Sequence, residues 1–406
     1  MGRPISISLS PNTQRNDVWL AATLLFQPWL WKKGDAIART ERWFTAHFSG
    51  YQAVSFNSGR SALLAILRAF GIGKGDEVIV QAFTCVAVPN SVLWCGATPV
   101  YTDIDQSLTI DPAGLEKRIT PRTKAIIVQH TFGILARIER IKAIARKHGL
   151  YVIEDCAHIL DVSDSEAGAG SYGDAAFFSF GRDKAVSSVF GGMAIIRNRH
   201  GEACNKLSNY WQSLDYPPLH WIGQQLFHPV AFWFILPLYT IGIGKLLLLF
   251  LQTIQFLSFP VYKEEKRGGR PKYFPARYPN ALALLLMLQL SKIRVLNNRR
   301  KRATSTYTRM LAIKKDSTAI SISQGGTLLR YPISVSSAKQ LLTHARAQGI
   351  LLGNWYHHII DPDGVDFQSV FYRKGSCPKA EYAASHIINL PTNIAKENIE
   401  RIVSAL

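Results

Sequence analysis

Between residues 77 and 155 short apolar runs alternate with helical patterns, and this alternation limits the fold more than any other feature. The spacing predicts strands over Glu77–Val80, Pro99–Thr102, Ala125–Val128 and Tyr151–Ile153, with helices over Val86–Cys95 and Ile138–His148. Strands this rich in β-branched residues, with helices between them, build a mostly parallel sheet covered on both faces. Such sheets bind ligands beyond the carboxyl ends of their strands. Three features fall at such ends. The predicted strand Gln52–Phe56 runs into the turn Asn57-Ser-Gly-Arg-Ser61 and a helix, which offers backbone N–H groups to an anion or is an ordinary α/β turn. Asp155 follows the strand at 151–153 and can hold a cation or cap a helix. His130 reads as a satisfied core histidine.

A further apolar run, Ala175–Phe180, breaks at Gly181 into a polar turn carrying Lys184, then passes Gly191-Gly192 into a second run, Met193–Ile196. On this stretch alone Lys184 is either a solvated loop lysine or a desolvated nucleophile of lowered pKa. A phosphate turn, an acid at a strand end and a buried lysine are together what a pyridoxal phosphate site requires. The phosphate needs N–H donors, the pyridine nitrogen needs a carboxylate, and the aldehyde needs an amine.

The residues resemble the DegT/DnrJ/EryC1/StrS sugar aminotransferases. Asn57-Ser-Gly-Arg-Ser-Ala-Leu63 is similar to the family's S-G-T-x-A-L turn. Gln81–Asn90 with Cys95–Asp105 is similar to T-F-x-A-T-A-N … G-A-x-P-V-F-x-D-I-D, and Val152–His158 to V-I-E-D-A-A-H/Q. Phe178-Ser-Phe-x-x-x-Lys184 with Gly191-Gly192 resembles S-F-x-x-x-K … G-G, and Cys377–Glu381 with Asn389-Leu-Pro391 resembles C-P-x-A-E … L-P. The resemblance implies a fold type I α/β protein with a large, mostly parallel sheet domain and a small C-terminal α+β domain, and a hydrophobic insert interrupts the match between them. The expected division is 1–204, 205–275 and 276–406.

The resemblance also implies roles. Lys184 would join the aldehyde of pyridoxal 5'-phosphate and move the substrate proton. Asp155 would pair with the pyridinium nitrogen, and His158 would lie near the ring hydroxyl. Ser179 and the backbone of Gly59 and Arg60 would take the phosphate. Cys85 stands where the family places an aromatic over the ring, so stacking is weaker or comes from another ring such as Phe83. Pro275-Ala276-Arg277 stands where the family has N-Y-R, whose Asn reaches the partner subunit's phosphate. The implied reaction moves an amino group, usually from glutamate, to a keto-sugar, usually nucleotide-linked, in polysaccharide or cell-envelope synthesis, by a homodimer. A membrane-associated protein that binds cofactor or sugar nucleotide without turnover is the alternative. No metal is expected.

Across 219–259 the only formal charge is Lys245, whereas a surface helix of a globular domain carries a polar face. Val230–Leu251 is long enough for one span, but a single span would separate the two lobes. The expectation is a hairpin, or helices lying in the membrane interface, bent by Pro229, Pro237, Gly242 and Gly244. Lys263, Lys266, Arg267, Arg270, Lys272 and Arg277 follow it, a basic flank suited to an anionic membrane surface; packing against a dimer partner is the other reading. Net charge of +19 fits an anionic partner, yet Arg299-Arg-Lys-Arg302 has no interleaved aromatics and reads as a solvated helix face, so no nucleic acid is expected. Five scattered cysteines without a C-x-x-C pair argue for free thiols in a reducing compartment. The implied location is cytoplasmic, peripheral or monotopic at the inner face of the cell membrane.

Overall fold

The computed structural model describes residues 5–162, 168–239, 241–313, 318–319 and 326–406. Its centre is a seven-stranded sheet of β1 (Tyr51–Phe56), β2 (Glu77–Gln81), β3 (Thr98–Thr102), β4 (Thr123–Gln129), β5 (Tyr151–Asp155), β6 (Ala175–Ser179) and β7 (Gly192–Arg197). The spatial order is β1-β7-β6-β5-β4-β2-β3. Only β7 runs against the rest, pairing antiparallel with both β1 and β6. The other neighbouring pairs are parallel. Every residue of β2 is buried, as a strand covered on both faces must be.

Helices cover the sheet because their apolar stripes have nowhere else to go. On α5 (Ile138–His148) the buried positions Ile138, Ile141 and Ala145 fall on one face, and Gly149 ends it at φ 65°. The helix α3 (Gly59–Ala69) lies deeper, with nearly all of its residues buried. Of the remaining helices before the insert, α1 (Arg15–Leu25), α2 (Asp35–His47), α4 (Ala87–Trp94) and α6 (Gly201–Gln212), the last packs on α3 and β7.

After α6 comes the apolar stretch, folded as a helical hairpin: α7 (Leu219–Ile235) and α8 (Ile243–Thr253). Pro229 lies inside α7 and does not end it. The bend falls between the two helices, and Gly242 takes φ 86° there. Gly244 lets α8 close on α7, since a Cβ there would sit 2.3 Å from the Ile235 carbonyl oxygen. Ala231, Phe232, Ile235 and Leu257 form the hairpin's own small core. Among the described residues no helix is long and apolar enough to cross a membrane.

The chain continues through α9 (Asn280–Leu290) and α10 (Ile293–Ile313). These lead to an antiparallel sheet in which β8 (Arg330–Ser334) lies between Thr318–Ala319 and β9 (Ile387–Pro391). With α11 (Ala338–Ala347), α12 (Pro378–His386) and α13 (Lys396–Ser404), this sheet makes the α+β part of the fold. Its core includes Tyr307, Tyr331, Ile388, Leu390 and Ile402. The basic run on α10, expected to be a solvated helix face, is solvated only in part. Arg300 is 1% exposed and bonds Asn297 Oδ1 at 3.0 Å, Asn12 Oδ1 at 3.0 Å and the Ala185 carbonyl at 2.8 Å; Arg299, Lys301 and Arg302 face solvent.

Candidate functional site

At the carboxyl ends of β1, β5 and β6 one cavity collects all the expected residues: Gly59, Arg60, Cys85, Asp155, His158, Ser179 and Lys184. A roomier groove lined by Arg146, Tyr151, Asp174 and Arg197 opens at the other end of the strands and holds none of them.

The turn into α3 is fixed from several sides. Ser58 caps the helix, its Oγ accepting from Ser61 N–H at 3.1 Å. Ser61 Oγ in turn donates to Asn57 Oδ1 at 2.8 Å. The segment that replaces N-Y-R holds the same turn: Asn57 N–H donates to the Ala276 carbonyl at 3.0 Å, and Ala276 N–H to Asn57 Oδ1 at 3.1 Å. The first amides of α3 are thereby free to face an anion. Two glycines make this crowding possible. A Cβ on Gly59 would lie 2.9 Å from Ser179 Cβ, and one on Gly192 would lie 2.4 Å from the Ser58 carbonyl oxygen. The Arg60 guanidinium is not available to a ligand. It forms a buried ion pair with Glu265, bonds the Pro260 carbonyl at 2.8 Å and stacks on Phe274 at 4.8 Å.

Asp155 ends β5 with its carboxylate buried, one oxygen accepting from Ala157 N–H at 2.9 Å. Burial pushes its pKa up to about 6, against the pull of that hydrogen bond and of Lys184. A carboxylate desolvated to this degree needs a cation. Burial likewise lowers the Lys184 pKa, opposed by Cys85 and Asp155; its Nζ stands 4.8 Å from the Trp355 ring. His158 accepts from Phe132 N–H at 3.1 Å through Nδ1. Its proton is therefore on Nε2, directed at the Tyr356 hydroxyl 3.2 Å away. Burial holds its pKa well below the usual value, so the ring is neutral.

Cys85 is partly buried at the cavity wall, on a two-residue strand paired with Ile360–Asp361. Phe83 does not supply the missing ring. It is fully buried and meets Phe132 and Tyr356 edge-on in the core. The aromatics that do line the cavity are Phe177, Phe190, Trp355 and Tyr356. Trp355 and Tyr356 come from the C-terminal part of the chain, where the sequence offered no spacing that tied them to the site. Arg182, inside the Lys184 turn, and Pro260 and Val261, just past the hairpin, were also missed.

Beside the site, His130 is a satisfied core residue. It accepts from Ala136 N–H through Nδ1 at 3.2 Å and donates through Nε2 to Glu154 at 2.9 Å. Glu154 also accepts from the backbone of Gly170, Tyr172 and Gly173. With Cys156 these two residues form a buried cluster of ligand-type atoms within 4.8 Å of one another, but the carboxylate is already fully engaged by N–H donors.

The residues fit pyridoxal phosphate on three counts. Among the described residues Asp155 is a buried carboxylate with no cation within ion-pair distance, the glycines at 59 and 192 leave a cradle that side chains would fill, and a desolvated lysine lines the same cavity. A doubly wound α/β domain with a site of this make-up defines the class of fold type I aminotransferase-like proteins. The chain belongs to the DegT/DnrJ/EryC1/StrS aminotransferase family, whose model matches residues 13–212 and 264–406 and omits the hairpin.

Similar proteins agree. Spore coat polysaccharide biosynthesis protein SpsC of Bacillus subtilis is 42% identical over 166 residues, 41% of this chain and 42% of that protein. GDP-perosamine synthase of Caulobacter vibrioides is 39% identical over 193 residues, 45% and 52% of the two. The chain thus spans about half the length, or less, of these curated relatives. The pleiotropic regulatory protein of Geobacillus stearothermophilus is 27% identical over 371 residues, 88% of this chain and 84% of that protein. The solved structure of Helicobacter pylori PseC, an aminotransferase, superposes with a TM-score of 0.74 at 21% identity, covering 99% of this chain and 98% of that one. At that identity the likeness shows the fold.

Proposed function

We propose that this chain is a pyridoxal phosphate-dependent aminotransferase that moves an amino group from a donor such as glutamate to a nucleotide-linked keto-sugar for polysaccharide or cell-envelope synthesis. The observation that carries this is Lys184, desolvated and in one cavity with the uncompensated carboxylate of Asp155 and the amides of Gly59 and Arg60. Bound, the cofactor supplies an electron sink and a carrier for the amino group. The chain's residues do the rest. The amides of Gly59 and Arg60 with Ser179 Oγ hold the phosphate. Asp155 holds the proton on the ring nitrogen, and neutral His158 fixes the Tyr356 hydroxyl at the cavity wall through its Nε2–H. Lys184, its pKa lowered by burial, takes and returns the substrate proton. The phenyl and indole rings of Phe177 and Trp355 exclude water. Mixing the cofactor-loaded protein with glutamate and following its absorbance tests the reading. Conversion to the amine form supports it, while a bound but unresponsive cofactor favours a binder without turnover.

The same reading places the enzyme against the inner face of a membrane. Phe234, Ile243, Leu246, Leu249, Phe250 and Phe256 of the hairpin are exposed, and so are Trp19, Phe26 and Trp29 of the N-terminal segment, whose helix α1 packs on α7. So many exposed apolar side chains on two elements that pack together mark an interaction site, and the net charge of +19 favours an anionic one. A homodimer is part of the reading, and light scattering in detergent-free and detergent-containing buffer tests it.

A further inference from the structure

The hairpin's return segment builds one wall of the cavity. Ser258 accepts from Arg182 Nη2 through its carbonyl at 2.7 Å and through its hydroxyl at 2.6 Å. Ser258 Oγ then donates to Gln225 Oε1 of α7 at 2.7 Å. Two residues on, Pro260 accepts from Arg60, and Pro260 and Val261 line the cavity. Arg60 and Arg182 stand over the same ring, Phe190, at 6.0 and 5.6 Å. That ring marks the end of the cavity where α3 begins. Gly181, next to Arg182, is close to the Ser179 hydroxyl, since a Cβ on it would lie 3.6 Å from Ser179 Oγ.

Three cations line the cavity. Lys184 is the amine, and Arg60 is paired with Glu265. Arg182 has only neutral acceptors: among the described residues no carboxylate lies within ion-pair distance, and its Nε is buried with no partner. Burial pushes its pKa down to about 10, and the field of the neighbouring Asp183 opposes this only in part. Such a charge is costly unless an anion meets it, and a guanidinium matches a phosphoryl group in shape and charge.

We propose that Arg182, held in place by Ser258 of the hairpin's return segment, is a ligand of the cofactor phosphate, so that the membrane-directed hairpin completes the cofactor site. This rests on the pyridoxal phosphate reading above. Ser258 acts through Arg182 and is a positioning residue.

The test is titration of the cofactor-free full-length protein with pyridoxal phosphate and with pyridoxal, which lacks the phosphate, followed by absorbance. Arg182→Gln is expected to weaken pyridoxal phosphate about tenfold or more and to leave pyridoxal within about twofold. Ser258→Ala should give a smaller loss of the same kind, and Arg182→Lys should recover part of it. Inorganic phosphate should compete with pyridoxal phosphate for the wild type and less well for Arg182→Gln. Equal losses for both aldehydes, or none, would overturn the assignment, as would unchanged cofactor affinity with weakened binding of a nucleoside diphosphate. If Arg182→Gln does not fold, the Lys and Ser258 variants decide. Wild-type protein that ignores pyridoxal phosphate sinks the parent reading; wild-type binding that Arg182→Gln leaves unchanged sinks only this one.

Discussion

Glu265 and Arg60 form a buried ion pair that ties the return of the apolar hairpin to the first turn of the helix facing the cavity. Glu265 is fully buried; it also accepts from Tyr262 N–H at 2.8 Å, and its carbonyl accepts from Asn90 at 2.8 Å. Removing the acid alone leaves a desolvated guanidinium beside Phe274. Glu265→Gln should therefore destabilise the fold by about 3 kcal/mol, measured by urea denaturation. Replacing both residues with methionine should recover most of the loss, because no charge is then stranded. A Glu265→Gln protein as stable as the wild type would show that the pair contributes nothing.

Asp155 should make the cofactor-free protein sensitive to pH in an unusual direction. Its carboxyl moves from 3.8 to about 6 on folding, which corresponds to about 3 kcal/mol. Because the folded-state pKa is the higher one, this group's stabilising contribution is complete below about 4 and is lost as pH rises through 6. Asp155→Asn should thus raise the stability of the cofactor-free protein at pH 7.5, with the gain vanishing near pH 4. Bound cofactor should reverse the order at pH 7.5, since its ring proton compensates the carboxylate. Thermal melts of both proteins at the two pH values, with and without cofactor, check this.

Gly59→Ala tests the cradle. The added methyl would meet Ser179 Cβ at 2.9 Å, so β6 and the turn must move apart. Cofactor affinity should fall about tenfold, with a cost in stability of about 1–3 kcal/mol. Unchanged affinity by absorbance titration would mean the turn does not hold the phosphate.

Lys184→Arg keeps the charge and removes the nucleophile. Borohydride reduction should link cofactor to the Lys184 peptide of the wild type, seen by mass spectrometry, and to no peptide of the variant. Turnover should drop by about 10²–10⁴.

Leu246→Ser, Leu249→Ser and Phe250→Ser combined should abolish co-sedimentation with anionic vesicles, each buried apolar side chain being worth about 1.5–3 kcal/mol. Cofactor binding should survive, since none of these side chains lines the cavity. Wild-type protein that stays in the supernatant at low salt would refute the membrane reading.

Much of this was legible in the sequence because it is local. Short continuous apolar runs marked the parallel strands, and the order of turn, acid, serine and lysine along the chain marked the set that the fold gathers. What was not legible depends on tertiary placement. Nothing in Gly353-Asn-Trp-Tyr356 announces that Trp355 meets Lys184 across lobes. Phe83 looked free to stack over a ring, yet it turns into the core, because two neighbouring aromatics already pack there. Arg300 sat in a run of four cations and could not be told from its solvated neighbours by composition. The Arg182–Ser258 contact joins residues 76 positions apart, beyond any helical or strand period.

The Arg182–Ser258 and Arg60–Glu265 contacts also set where this chain can be shortened. Cutting out 213–263, the part outside the family pattern, would take Ser258, Pro260 and Val261 with it and open the cavity's flank. A shortened version should instead be trimmed at the tip, between the middle of α7 and the end of α8, with a polar linker in place of the bend. The arm can lose its tip but not its root, because the root is a wall of the cavity.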